Sequence, residues 1–494
     1  MNRGALYALT NVGFALLMIA GSVITDAVNP RVLYVCLLFA ICTTPIILAE
    51  RINGRHMLLA ATSGMYFLLF GASDAATILL GTEPSNSEGL LAPVEWVVLL
   101  GGPLLIAGYQ LVAAWPGDPL RARVPKDWST STIIVVGLTL WVMGAAATWI
   151  WQVYRFKTAT EINTGFSEVQ TLALVIARLV HPLGMLLLGY GLAVTRNRLL
   201  LFVVLGAIAV DVLIGFIGDT KELAIRGVLL VIFTSTLATG KIPKVWLAAG
   251  ALFIMLAFPV FQAYRSDVMG VRGMSRAQAA ENIWHSIELA LQSREKVTEG
   301  TNAAYRNPSF LGRNNIKPTL QILVAKAGNE VKFQNGYTLG LFFTALVPRM
   351  FWPDKPSSSV GQLYNQELHL SDDPDTFISP SFVGDLYWNF GLGGIVCGMP
   401  LLGMLLGYVN RRCDMSQQRT VPRLMVIAST TYLLCFRLED GIAIEMIVWS
   451  RTILAIGLMN LVFARIPTVA NGTPAVVEPA APARPVPRFS NLMT

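Results

Sequence analysis

The sequence predicts an all-α polytopic membrane protein, and three observations carry that prediction. Of the 494 residues 54% are hydrophobic and only 14% charged, whereas soluble domains carry about 25% charged residues. Mean hydropathy is +0.56. Several windows, Tyr7 to Thr25 among them, exceed the roughly 18 uncharged apolar residues that mark a spanning helix. A soluble multidomain reading of the same length is excluded.

Apolar runs set against charged loops give about twelve spans. The first six run Leu6 to Ile24, Val32 to Ala49, Met57 to Leu80, Val94 to Ala114, Ile133 to Trp151 and Leu172 to Val194. The next three, Leu199 to Ile217, Leu223 to Ala238 and Val245 to Gln262, complete an N-terminal bundle over residues 1–262. After a long loop, Phe390 to Val409, Leu424 to Phe436 and Ile442 to Phe463 form a C-terminal group within residues 386–465. The first apolar stretch is too long for the core of a signal peptide and another follows at once, so it is read as a span. Residues 466–494, rich in Ala and Pro, read as a disordered tail.

Basic residues fix the expected orientation. Arg51 and Arg55, Arg121, Arg123 and Lys126, Arg196 and Arg198, Lys241 and Lys244, and Arg411, Arg412, Arg419 and Arg423 all fall in alternate short loops. The positive-inside rule makes that side cytoplasmic, with both termini there, and accounts for the +7 net charge without nucleic acid. The loop Gly81 to Glu95 on the other side has no positive charge.

The long hydrophilic loop, residues 263–385, is then extracytoplasmic, and its sequence is not that of a linker. Between Glu281 and Ser293, Ile283, Trp284, Ile287 and Leu291 share one helical face, which suits an amphipathic helix on the bilayer or over the spans. Tyr337 to Val347 is apolar but too short to span, and reads as re-entrant or interfacial. PRMFWPDKP follows at Pro348 to Pro356, where prolines forbid a helix and hold Arg349 and Lys355 on a stiff turn beside Phe351 and Trp352. Either it anchors in headgroups or it presents charge to a ligand.

Charges in or at the membrane on this side are costly and are functional candidates by default. They include Arg178 and His181 in the sixth span, Asp211 in the seventh, and Asp219, Lys221, Glu222 and Arg226 at the following turn. Arg265 follows the ninth span, and Arg437, Glu439 and Asp440 form the turn RLEDG, with Glu445 and Arg451 beyond. Together they suggest a wet, mostly cationic cavity suited to phosphate, which Arg binds with paired hydrogen bonds. The alternative is that Asp219 pairs with Lys221, and Arg437 with Asp440, simply to close helical turns.

Other chemistries find little footing. No HExxH, P-loop, GxSxG or EF-hand pattern occurs, and the four histidines are dispersed, so no metal is assigned. DDPD at Asp372 to Asp375 reads as a solvated acidic turn. The five cysteines are scattered through or beside apolar runs, with no disulfide or CxxC spacing, and read as packing residues.

AYR at Ala263 to Arg265, GDTKELAIRG at Gly218 to Gly227, VPRMFWPDKP at Val347 to Pro356 and VGDLYWNFGLGG at Val383 to Gly394 resemble segments of bacterial oligosaccharide repeat-unit polymerases, the Wzy-type O-antigen and exopolysaccharide polymerases. The resemblance covers about Gly218 to Gly407 and the RLED turn; the first half matches only as a run of spans. The family usually has Glu where this chain has Asp385. The resemblance implies a GT-C-like glycosyltransferase of the bacterial inner membrane, its active site facing the periplasm. It would polymerise undecaprenyl-diphosphate-linked oligosaccharide among membrane lipids, with no cofactor and with a chain-length-regulating copolymerase as partner.

On that reading Lys221, Arg226, Arg265, Arg349 and Lys355 bind the diphosphate and donor, with Arg178 and Arg437 deeper. Trp352, Tyr387 and Trp388 stack on sugars or else anchor at the interface. The general base is sought first at Asp440 or Glu439, then Asp385, then His181. Two rivals stand beside it: an O-antigen ligase of similar architecture that hands the glycan to lipid A core or another acceptor, and, from another class, a transporter or flippase, for which about twelve spans are ordinary. Against the transporter stands the absence of two similar halves in the hydropathy pattern.

Overall fold

The computed structural model describes residues 3–24, 31–48, 56–80, 91–113, 115, 127–154, 168–218, 221–240, 243–264, 284–285, 287–289, 314–347, 352, 360–371, 376–413 and 420–464. Among them the chain is helical and forms no strand. In order the helices are α1 (Arg3–Ile24), α2 (Arg31–Leu48), α3 (Met57–Phe70), α4 (Ala72–Leu80), α5 (Pro93–Ala113), α6 (Thr130–Tyr154), α7 (Glu168–Thr195) and α8 (Arg198–Ile217). They continue as α9 (Lys221–Thr239), α10 (Lys244–Ala263), α11 (Lys317–Lys326), α12 (Tyr337–Leu346), α13 (Val360–Leu368) and α14 (Ser381–Arg412). Last come α15 (Val421–Thr430), continued by π-helical turns over Thr431–Phe436, and α16 (Ile442–Phe463).

Each of the twelve apolar runs falls on this helical framework. Among the described residues eight helices, α1, α5 to α9, α14 and α16, are long and apolar enough to cross a membrane. The α3–α4 pair, bent by 48°, makes a ninth candidate, and shorter apolar stretches lie in α2, α10 and α15 with its continuation. The bend falls at Gly71, and the Phe70 carbonyl beside it accepts the Tyr34 hydroxyl at 2.8 Å. A helix broken inside the membrane needs such a substitute donor, because no water reaches it there.

Lipid tails are as apolar as side chains, so helix pairing here depends on close backbone approach at small residues. Gly403 and Gly407, spaced as GxxxG on α14, lie against α5, and a Cβ at Gly403 would come 2.1 Å from the Leu105 carbonyl oxygen. The α6–α7 pair uses the same device: a Cβ at Gly144 would meet the His181 backbone at 2.4 Å, and one at Gly184 the Trp141 nitrogen at 2.3 Å.

The described parts of the long segment after α10 pack onto the bundle. At its start Ile287 and Leu289 pack against Phe216, Phe261 and Tyr264, whereas Trp284 is 81% exposed. The described part of the expected amphipathic stretch therefore packs on the spans, but not by the predicted face: Trp284, expected beside Ile287, is exposed, and Leu289 makes the buried contact instead. The Tyr337 to Val347 run is helix α12, packed on α16, where Arg451 Nη2 donates to the Ala345 carbonyl at 2.7 Å. Helix α14 begins nine residues before the predicted span. Phe390 and Gly391 leave helical geometry, Gly391 at φ 59°, and the turns before that break bend onto the helix after it: a Cβ at Gly394 would lie 2.0 Å from the Leu386 carbonyl oxygen. DDPD, most of PRMFWPDKP and the C-terminal tail lie outside the described residues.

Candidate functional site

The site lies at one end of the bundle, where the first turn of α9 and the α15–α16 turn meet the N-termini of α14 and α16. Reciprocal helix capping builds it. The first N–H groups of α14 have no partner within their own helix, and the RLEDG turn supplies partners: Ser381 N donates to Glu439 O and Phe382 N to Leu438 O, both at 2.9 Å. In return the Asp385 Oδ2 of α14 accepts Ile442 N of α16 at 2.9 Å. Ser381 adopts φ 64°, an uncommon left-handed conformation for a residue with a Cβ.

Arg437 stands at the centre. Its Nη2 pairs with Asp440 Oδ2 at 2.6 Å and Glu222 Oε2 at 3.4 Å, and its Nε faces Glu445 Oε1 at 3.4 Å. Ser379 Oγ holds the other Asp440 oxygen at 3.0 Å. Tyr432, on the π-helical turns that widen the end of α15, donates its hydroxyl to Glu222 Oε1. Such turns often mark functional positions. Burial alone would pull the Arg437 pKa down; Glu222, Glu445 and Asp440 together overcome it and hold it above the usual arginine value.

Below this cluster Arg226, one helical turn after Glu222 on α9, donates Nη2 to His181 Nδ1 at 2.6 Å. His181 Nε2 meets Asp211 Oδ1 at 2.8 Å, and Trp141 Nε1 reaches the same oxygen at 3.3 Å. Because a guanidinium can only donate, Nδ1 is the acceptor and Nε2 carries the proton toward Asp211. Thr148, also 3.1 Å from Nδ1, spends its own proton on the Gly144 carbonyl. Arg178, exposed on α7 and one turn before His181, lies within electrostatic reach of Glu222 and Glu445.

These contacts redirect several of the predicted roles. The described part of the cluster is not mostly cationic: Arg178, Arg226 and Arg437 interleave with Asp211, Glu222, Asp440 and Glu445, and Arg437 closes on Asp440 as the alternative reading of that turn required. His181 is fully buried with both ring nitrogens engaged. Asp385 is fully buried too, taking Thr338 Oγ1 at 2.5 Å and Asn389 Nδ2 at 3.1 Å besides Ile442 N, which makes it a cap between three helices. Asp440 has both oxygens occupied, and Glu439 is half-buried on the same turn.

Trp388 is fully buried edge-on to Tyr364, with ring centroids 5.2 Å apart, and offers no face to a sugar. Tyr387 is half-buried beside Phe333, while Trp352 is 41% exposed. Arg265, Arg349, Lys355 and the side chain of Lys221 lie outside the described residues. Among the described residues no group of three or more His, Cys, Asp or Glu could hold a metal.

Glu445, flagged in the sequence as a costly charge but given no role there, stands apart in the structure. It is fully buried in the first turn of α16, and among the described residues neither carboxylate oxygen has a hydrogen-bond donor. A second buried set was missed: Lys317 opens α11 between Asp74 of α4 and Glu95 of α5. The signal was present, since Asp74 and Glu95 stand inside apolar runs, where a charge is costly.

No curated protein and no solved structure matches the chain. One family model does, over residues 145–416, more than half the length. That stretch holds Arg178, His181, Asp211, Glu222, Arg226 and Asp385 and stops short of the Arg437 turn. The chain thus belongs to the family described as a domain of unknown function, DUF8712.

Proposed function

We propose that this protein is a membrane glycosyltransferase that polymerises undecaprenyl-diphosphate-linked oligosaccharide repeat units. It would work at the periplasmic face of a bacterial inner membrane, within a GT-C-like bundle of about twelve spans. The observation that carries the reading is the gathering at one bundle end of three arginines, Arg178, Arg226 and Arg437, with four carboxylates, Asp211, Glu222, Asp440 and Glu445, from α7, α8, α9, the α15–α16 turn and the start of α16, beside the folded-back start of α14. That end includes Asp385 of VGDLYWNFGLGG, one of the segments on which the polymerase resemblance rests.

The chemistry asked of such a site is modest. The leaving group is a lipid diphosphate, whose negative charge grows as the glycosidic carbon–oxygen bond breaks. Preorganised guanidinium groups aimed at it stabilise that charge, typically by a factor of about 10² to 10³ per donor. Arg178 is the exposed one, and Arg437 is the one whose Nη1 has no ion-pair partner among the described residues. Arg226, locked onto His181, sets the floor of the site. A second carboxylate layer, Glu222 and Asp440, keeps Arg437 charged and oriented.

The test is reconstitution. Protein purified into proteoliposomes receives one lipid-linked repeat unit and no other acceptor, and the products are resolved by size. A ladder of lengthening glycans supports the polymerase. Transfer only after lipid A core is added means a ligase, and accumulation of unreacted substrate on the opposite leaflet means a flippase.

A further inference from the structure

We infer that Glu445 is the general base that accepts the proton of the acceptor sugar hydroxyl, and that Arg437 covers it until a donor diphosphate draws the guanidinium away. This rests on the polymerase reading above and names the residue and the order of binding within it.

Glu445 has an unfilled requirement. An ionised carboxylate offers about four acceptor positions, and leaving a buried one without donors is costly. Glu445 is completely buried, yet neither Oε1 nor Oε2 has a hydrogen bond among the described residues. The nearest cation, Arg437 Nε at 3.4 Å, stands beyond the roughly 2.7–2.9 Å of a charge-assisted bond. The other carboxylates of the cluster are better supplied. Asp385 has three donors, Asp440 has Ser379 and Arg437, and Glu222 has Tyr432. Asp211 keeps one free oxygen but sits behind His181, which holds the other. What Glu445 lacks is a donor, and a sugar hydroxyl is one.

The cover can move. Arg437 spans the gap between Glu445 and the exposed rim of Arg178 and Glu222, with its side chain 16% exposed. Only its contact with Asp440 is short; those with Glu222 and Glu445 are both 3.4 Å. A diphosphate arriving at the rim offers the guanidinium better-matched paired oxygens. Turning toward it, Arg437 gives up its weak hold on Glu445 and opens the way for the hydroxyl.

The acceptor O–H proton passes to a Glu445 oxygen as the hydroxyl oxygen bonds to the donor's anomeric carbon. The bond from that carbon to the diphosphate oxygen breaks, and its electron pair leaves with the lipid diphosphate, facing Arg437. Donor therefore binds before acceptor.

The experiment compares wild type, Glu445→Gln, Glu445→Asp and Arg437→Gln in proteoliposomes, measuring glycan elongation on a lipid-linked repeat unit and, separately, binding of undecaprenyl diphosphate. Glu445→Gln should cut elongation at saturating donor by about 100-fold or more while leaving undecaprenyl diphosphate affinity within about threefold of wild type. Glu445→Asp, which keeps a carboxylate one methylene short, should recover part of the lost rate, and Arg437→Gln should weaken undecaprenyl diphosphate binding about tenfold. Elongation by Glu445→Gln at near wild-type rate would overturn the assignment and leave the polymerase reading standing. A wild-type protein that binds undecaprenyl diphosphate but never elongates would sink both.

Discussion

Two buried cations, Lys317 and Arg437, show how the same energetic problem can be solved to opposite ends. Lys317 sits between Asp74 and Glu95 with all three side chains 7% exposed or less, and its ammonium lies 4.6 Å from the Tyr34 ring centroid. Glu95 Oε2 takes the Ala92 N–H at 3.0 Å, and no nitrogen or oxygen of the three side chains is buried without a hydrogen-bond partner. Arg437 also faces carboxylates, but it is partly exposed, two of its three contacts are long, and Glu445 beneath it is left without a donor. A closed, fully satisfied set holds structure, here by fastening α11 to α4 and α5. An open set with an unmet acceptor is arranged to receive something.

Removing each cation in turn separates a structural anchor from a binding site. Lys317→Met strands two buried carboxylates, and uncompensated buried charge of this kind costs about 3–5 kcal/mol. The expected outcome is a large fall in the detergent-solubilised protein's thermal unfolding temperature, with α11 released to limited proteolysis. Adding Asp74→Asn and Glu95→Gln should restore much of the loss, since removing a whole ionic set is far cheaper than removing one partner. If Lys317→Met unfolds at the wild-type temperature, the anchor reading is wrong.

Arg437→Gln should cost less stability, about 1–3 kcal/mol, because Glu222 is 48% exposed and water can solvate it. Its effect on elongation should be larger than its effect on folding, a loss of about 10² to 10³. Unfolding temperature and elongation rate measured on the same preparation separate the two. An Arg437→Gln protein as destabilised as Lys317→Met and fully active when folded would erase the distinction between the two cations.

How legible these regions are in sequence follows from the range of the interactions that define them. Helix α8, Arg198–Ile217, starts one residue from its predicted edge because its start is local: Asn197 caps it through Leu199 N. The cost of charge in an apolar run also flags His181, Asp211 and the RLED turn without any partner being known. The pairing itself is not local. Lys317 finds Asp74 across 243 positions, and Tyr432 finds Glu222 across 210. Nothing in a spacing pattern announces either. Glu445 was hardest of all, since its character lies in donors it does not have, a property only the assembled neighbourhood defines. The Phe390–Gly391 break explains the late predicted start of the tenth span: before it the chain is helical but doubled back, and its polar residues Asp385 and Asn389 serve capping.

The smallest change tests how finely the open cluster is tuned. Tyr432→Phe removes one hydroxyl and almost no volume, and Glu222 loses a donor while keeping Arg437 at 3.4 Å. A single hydrogen bond to a half-exposed carboxylate is worth about 0.5–1.5 kcal/mol, so the unfolding temperature should move by a few degrees at most. The consequence for Arg437 runs the other way. With its hydroxyl partner gone, Glu222 carries more uncompensated negative charge and draws the guanidinium harder, opposing the swing toward a diphosphate. Undecaprenyl diphosphate affinity should therefore fall by about two- to fivefold, equivalent to about 0.4–1 kcal/mol. Tighter binding in Tyr432→Phe would mean that Glu222 does not restrain Arg437, and the covering role given to that arginine would have to be abandoned.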